Sequence, residues 1–187
     1  MTSTARCGKT RFTKVLACAL LAGCTPTLDW RDTRPEGSGL QLQFPCRAGG
    51  QSRDLPLAGV RVNLALHACA AGGLTWGLSH ADVGDAARVG PALLELAAAA
   101  RANLGADAGM PVPLPVPLSM SLSVRGATPN PASGLWQVQG RLPDGTPVQM
   151  QVAVFARGTR VFQATVLGEN LSSEAADIFF ASMQLAP

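Results

Sequence analysis

The chain has 187 residues, 47% of them hydrophobic and 14% charged. That is enough apolar material for one globular core, built mainly from small aliphatic side chains, because there are six Phe, three Trp and no Tyr. The formal charge of +3 is carried by the N-terminal stretch: Arg6, Lys9, Arg11 and Lys14 all precede position 24, and no acidic residue does. The rest of the chain holds 11 Arg against 12 Asp and Glu and has no Lys, a balance of −1. A near-neutral domain lacks the basic surface that phosphate binding requires, so nucleic acid is excluded as an expected partner.

The basic segment ends at Lys14, and the eight-residue apolar run Val15-Leu16-Ala17-Cys18-Ala19-Leu20-Leu21-Ala22 follows. A bilayer-spanning helix needs about 20 apolar residues. A short apolar core behind basic residues is instead the pattern of a secretory signal, here over residues 1–23. Leu21-Ala22-Gly23-Cys24 resembles the bacterial lipobox, a leucine and two small residues before a cysteine. The resemblance implies that the Cys24 thiol receives a diacylglyceryl group, that a peptidase cuts between Gly23 and Cys24, and that the freed amine is acylated. Two or three acyl chains hold a protein to a membrane lastingly, since each buried CH₂ contributes about 0.8 kcal/mol. It also implies a bacterial envelope address. Thr25, in place of the Asp that marks inner-membrane retention in enteric bacteria, implies the outer membrane, facing the periplasm. The competing reading is an ordinary signal cut elsewhere, with Cys24 an incidental thiol.

Cysteine usage fits export. Of Cys7, Cys18, Cys24, Cys46 and Cys69, the first two leave with the signal and the third takes the lipid. Cys46 and Cys69 remain, an even number in an oxidising compartment, and are expected to pair as a disulfide. The alternative, a metal site with His67, lacks the usual four-ligand zinc spacing.

The elements follow in chain order. Residues 24–38 are polar, contain Pro26 and Pro35, and read as a lipidated tether; Trp30 within them is open to packing either at the lipid interface or on the domain. A single domain is expected over 39–187. Leu40, Leu42 and Phe44 alternate with glutamines, the period of a half-buried strand. Residues 47–55 read as a loop. Two further runs, Val62–Ala68 and Leu74–His80, read as a hairpin around Ala70–Gly73. Burial of one face favours an odd-length loop with a glycine bulge at Gly72 or Gly73, which sets Ala68, Leu66 and Leu64 against Trp76, Leu78 and His80 and turns His67 and Cys69 away.

A helix is expected from Pro91 after a short turn over 85–89, with Leu93, Leu96, Ala97, Ala100 and Leu104 on one face and Gly105 as its stop. Alternating prolines over 111–117 suggest a stiff connector in polyproline II form. Strands are expected over 118–124, 135–142, 148–156 and 159–167, the middle two joined by a turn at Pro143-Asp144-Gly145-Thr146. Ser172 or Ser173 caps a last helix that docks Ala176, Phe179, Phe180 and Met183. The order β-ββ-α-β-βββ-α gives an α+β domain with a mainly antiparallel sheet and two helices packed on it, on one face or at its ends. In order and in the stretch FARGTRVFQATVLG…SSEAADIFFASMQL, the chain resembles PsbP-like domains. The resemblance implies a compact sandwich and carries over no functional residue.

The residues offer little chemistry. There is no phosphate-binding glycine loop, no HExxH and no calcium loop, and no cofactor is expected. His80 and Asp82 lie two apart with Ser79 adjacent, but Gly77-Leu78-Ser79-His80-Ala81 lacks the last glycine of a nucleophile elbow, and neighbouring Ser and His point to opposite strand faces. Arg141, Arg157 and Arg160 read as solvent-facing positions around the last strands, with an anionic partner as the alternative; Trp136 reads as core. The leading expectation is a noncatalytic membrane-anchored lipoprotein that binds or scaffolds an envelope protein. The alternatives are an enzyme acting on lipid or glycan through His80 and Asp82, and a carrier of lipid or another small ligand.

Overall fold

The computed structural model describes residues 27–105 and 123–186. Within them the chain runs β1 (Arg31–Thr33), β2 (Leu40–Phe44), β3 (Gly49–Leu57), β4 (Val60–Ala71), β5 (Leu74–Asp82), α1 (Ala86–Ala102), β6 (Gly134–Arg141), β7 (Pro147–Arg157), β8 (Arg160–Gly168), α2 (Ser173–Ala181) and β9 (Gln184–Leu185). A six-stranded antiparallel sheet of order β3-β4-β5-β8-β7-β6 forms the middle layer, and β1-β2-β9 make a small second sheet. The fold is α+β, with two helices packed on antiparallel sheets.

Side chains alternate along each central strand and build two cores. On one face, Trp76, Leu78, Phe155, Phe162 and Val166 meet β2 and the α2 residues Ala176, Phe179 and Phe180. On the other, Val152, Val154, Ala156 and Val161 meet Ala92, Leu93 and Leu96 of α1. The helices therefore cover opposite faces, and the strands of the middle layer carry apolar residues on both.

That two-sided burial overturns the expected register of the β4–β5 hairpin. Its loop is two residues long, Gly72-Gly73, with Ala71 opposite Leu74, Cys69 opposite Trp76 and Ala65 opposite His80. Both glycines have positive φ, +63° and +73°, the conformation of a type I′ turn, whose twist matches the flanking strands. Where each face has its own core, burial of one no longer selects between registers. His67 and Cys69 lie on the Trp76 layer, not away from it, and Leu64 belongs to the layer under α1.

Other expectations shift for equally local reasons. The expected loop 47–55 is mostly β3, paired with β4 along its length from Gly49 to Leu57. Its polar, glycine- and proline-containing sequence suits an edge strand, which has one open side and tolerates Pro56. The expected tether is ordered in its later part: β1 pairs with β2, the Asp29 N–H donates to the Pro45 carbonyl at 2.8 Å, and Trp30 packs edge-on against Trp76 at 5.8 Å. The fold thus reaches back ahead of Gly39, held there jointly by the β1–β2 pairing, the Asp29–Pro45 hydrogen bond and the packing of Leu28 and Trp30 on the α2-side core.

α1 is one helix that starts five residues before Pro91. Asp85 caps it, accepting from the Ala87 N–H at 2.9 Å. Pro91, its sixth residue, lies inside the helix and has no N–H to offer the Ala87 carbonyl one turn back. Leu93, Leu96, Ala100 and Leu104 are buried as expected and Ala97 is half-buried; Asn103, not Gly105, forms the C-cap. Arg88 fixes the helix over the β3–β4 turn by donating to the Ala58 carbonyl at 2.9 Å. Ser172 caps α2, and Ala176, Phe179, Phe180 and Met183 dock as expected. The 111–117 connector and most of the 118–124 strand lie outside the described residues; Val124 and Arg125 are not in a named strand, although Arg125 bridges to Gln184.

Cys46, just after β2, bonds to Cys69 of β4 with the Cα atoms 6.0 Å apart. The bond staples the small sheet to the central one across 23 positions of sequence. Replacing Cys46 by serine is expected to lower stability by about 3 kcal/mol, mainly by freeing the unfolded chain. Urea midpoints of parent and variant measure this, and equal midpoints would show that the crosslink closes no costly loop.

Candidate functional site

Two histidines meet on the α2 side of the central sheet. His80 lies on β5 opposite Ala65, and His67 on β4 opposite Leu78, so the two are diagonal neighbours across one strand pair. Their rings are parallel to within 5° with centroids 6.0 Å apart. Phe162 of β8, directly opposite His80, flanks it on the other side at 6.1 Å. His80 is 7% exposed, and its Nε2 is buried without a hydrogen-bond partner among the described residues. Burial foremost, then the neighbouring His67 and the Arg160 guanidinium, push the His80 imidazole down to about 4. Burial also lowers His67, which is half-buried.

Asp82 does not orient His80. Its carboxylate accepts from the Gly84 N–H at 2.9 Å and faces Arg160 at 4.0 Å. A hydrogen bond from Thr159 is the main cause that holds its carboxyl below the usual range, with the Gly84 bond next; burial opposes them and Arg160 adds to them. Ser79 points to the other face, where it hydrogen-bonds Gln163 at 3.4 Å. The nucleophile, base and orienting acid that acyl transfer requires are therefore not assembled around His80.

Two concave surfaces flank the sheet. A recess of about 600 Å³ at the end of β5 and β8 is lined by Ser38, Asp82, Thr128, Arg157 and Arg160. Arg160 is engaged there, donating to the Ser38 carbonyl at 3.2 Å. Arg141 lies at the opposite end of β7 and donates to the Gly145 carbonyl at 2.9 Å, so the three arginines do not form one cationic cluster. A groove of about 410 Å³ runs between the C-terminal part of α1 and the sheet, with Leu64, Leu66, Leu104 and Met150 beside a polar floor of Ser79 and Gln163. Gln163 is fixed by donating to the Leu96 carbonyl at 2.8 Å. Trp136 is half-buried against the α1-side core.

Sequence reasoning singled out His80 but paired it with Asp82 by spacing along one strand. Its real neighbour, His67, was missed because the register was read with an odd loop. The signal was present in Gly72-Gly73, the pair of glycines that favours a two-residue turn. No family model matches the chain, and no curated protein or solved structure matches it either.

Proposed function

We propose that this chain is a lipid-anchored protein of the bacterial envelope whose domain binds or scaffolds a partner without catalysing a reaction. One observation carries the reading: Leu21-Ala22-Gly23-Cys24 stands directly behind a basic segment and a short apolar run. The basic residues and two cysteines then leave with the signal, and Cys24 takes the lipid. The Cys46–Cys69 bond supports it, since disulfides persist in oxidising compartments. Among the described residues no helix is long and apolar enough to cross a membrane, which is neutral for a protein held by lipid. The open groove along α1 supplies the concave surface that a binding role needs.

The early start of the fold adds a geometric consequence. Asp29, whose N–H is bonded to the Pro45 carbonyl, stands five positions after Cys24. Five residues span at most about 18 Å, so the domain is held near the lipid surface rather than at the end of a long tether. The outer membrane is the proposed location, on Thr25 behind the lipid cysteine. The likeness to PsbP-like domains belongs to the same proposal and is supported by the final amphipathic helix, whose Phe179 and Phe180 enter the core.

Labelling cells with a radioactive fatty acid tests the anchor. Label is expected on the parent chain and absent from Cys24→Ser, with the variant released into the soluble envelope fraction. Equal labelling of both would refute it.

A further inference from the structure

We propose that the groove along α1 binds one long-chain carboxylate, its alkyl chain lying on the sheet and its head at Arg53. The inference rests on the proposed binding role and names its ligand; the groove carries it, and the anchor does not enter.

The groove exists because α1 crosses the sheet obliquely. Arg88 ties its first turn to the β3–β4 turn through the Ala58 carbonyl, and at its other end the Leu104 carbonyl accepts from the Arg141 N–H. Beside the helix, a strip of sheet from Arg53 of β3 to Met150 of β7 stays open as the groove of about 410 Å³. That volume lies in the range of small-ligand sites. The strip crosses β3, β4, β5, β8 and β7, which makes it roughly 19 Å long at about 4.8 Å per strand spacing. The hydrocarbon core of a bilayer is about 30 Å thick and holds two acyl chains end to end, so one chain needs about 15 Å.

The lining suits an alkyl chain. Leu64, Leu66, Leu104, Met150 and Leu167 supply apolar surface along it. Leu66 and Leu167 are only half-buried, so a chain laid on them takes apolar surface out of water. The polar floor makes no demand on the ligand. Ser79 donates to Gln163 Oε1 at 3.4 Å, and Gln163 Nε2 donates to the Leu96 carbonyl at 2.8 Å, so these groups satisfy one another. The floor is also kept low: at Gly77 a Cβ would lie 2.8 Å from Thr165 Oγ1, so no side chain rises there.

Charge places the head. Arg53 is the one charged residue that lines the groove, no carboxylate does, and Arg53 joins no salt bridge among the described residues. Its neighbour Asp54 belongs to the other face of β3, where it accepts from Asn63. A guanidinium matches a carboxylate with two parallel N–H donors. Arg53 is exposed on the edge strand, so a carboxylate beside it stays hydrated while its tail is covered.

The test titrates the full chain carrying Cys24→Ser, which bears no lipid of its own, with palmitate below its micelle concentration. One molecule per chain is expected. Leu66→Asp, which sets a carboxylate among the alkyl carbons, is expected to weaken binding at least ~10-fold. Arg53→Gln is expected to weaken it about 3-fold, as for an exposed ion pair, and to leave binding of hexadecanol, the same chain with an uncharged head, unchanged. Near-UV circular dichroism checks that each variant keeps its packing. On the parent alone, stearate with a nitroxide near its methyl end is expected to broaden the methyl resonance of Met150 in the groove and to leave Met183, buried in the opposite core, sharp. A folded parent that does not bind palmitate, binding that survives Leu66→Asp, an Arg53→Gln chain that binds both ligands as the parent does, or equal broadening of the two methyls would each overturn the proposal. Binding to phosphatidylglycerol vesicles but not to dispersed palmitate would assign this face to a membrane, and Met150 shifts that follow protein concentration without palmitate would assign it to a second copy; either overturns it too. The labelling of Cys24 is a separate result: its failure leaves palmitate binding standing, and failure to bind palmitate leaves the label in place.

Discussion

Trp76→Ala is expected to destabilise the domain by about 3–5 kcal/mol, the range for truncating a large buried aromatic. Trp76 is fully buried at the middle of β5, where three parts of the fold converge. Phe179 of α2 meets it edge-on at 5.4 Å, and Trp30, from the segment ahead of β1, does so at 5.8 Å. Its indole N–H donates to the Ala71 carbonyl at 3.1 Å, beside the Gly72-Gly73 turn. Truncation opens a cavity that the surrounding strands cannot close, because β5 is hydrogen-bonded on both sides, to β4 and β8. It also removes the surface against which Trp30 is ordered. Urea denaturation followed by far-UV circular dichroism measures the loss. Trp136→Ala supplies the comparison: that ring is half-buried on the opposite face, and its truncation is expected to cost clearly less. Equal losses would mean that the two cores contribute alike and that Trp76 is not the junction between layers.

The contrast between these tryptophans also shows what the sequence made legible. Period-two alternation found β2, β5 and the β6–β7–β8 meander, because apolar side chains recur at every second position whether one face is buried or both. The Ser172 cap and the apolar spacing that follows it found α2. β3 escaped detection because an edge strand needs no apolar face, and Gly49, Gly50 and Pro56 resemble a loop. β1 and β9 escaped because two or three residues show no period; they exist through pairing with β2, a contact between distant parts of the chain. The candidate site was legible as single residues and not as a constellation. His67 and His80 are 13 positions apart, and only the turn between them decides whether they share a face.

Burial of His80 gives the fold an acid dependence: stability is expected to fall by about 2 kcal/mol as pH drops from 6.5 toward 4, the linkage of its lowered pKa reduced for solvent screening. In the unfolded chain His80 titrates at 6.5, whereas in the fold it titrates at about 4. Between those values the unfolded chain holds a proton that the folded chain does not. Unfolding therefore takes up a proton, and stability rises with pH across that window. Above 6.5 neither state is charged at this position and the effect vanishes; below 4 both are charged and the loss is complete. His67 acts in the same direction, since burial lowers it as well. Arg160 is the other charged group that faces His80, and it stays cationic throughout. Asp82, lowered from 3.8, stabilises the fold above that value and loses its contribution only at more acid pH, beneath the histidine window. Urea denaturation between pH 7.5 and 4.5 measures the slope. His80→Phe, which fills the site beside Phe162 without a titrating group, is expected to flatten most of it. A parent whose stability is constant over this range would show that His80 is not held neutral within the fold.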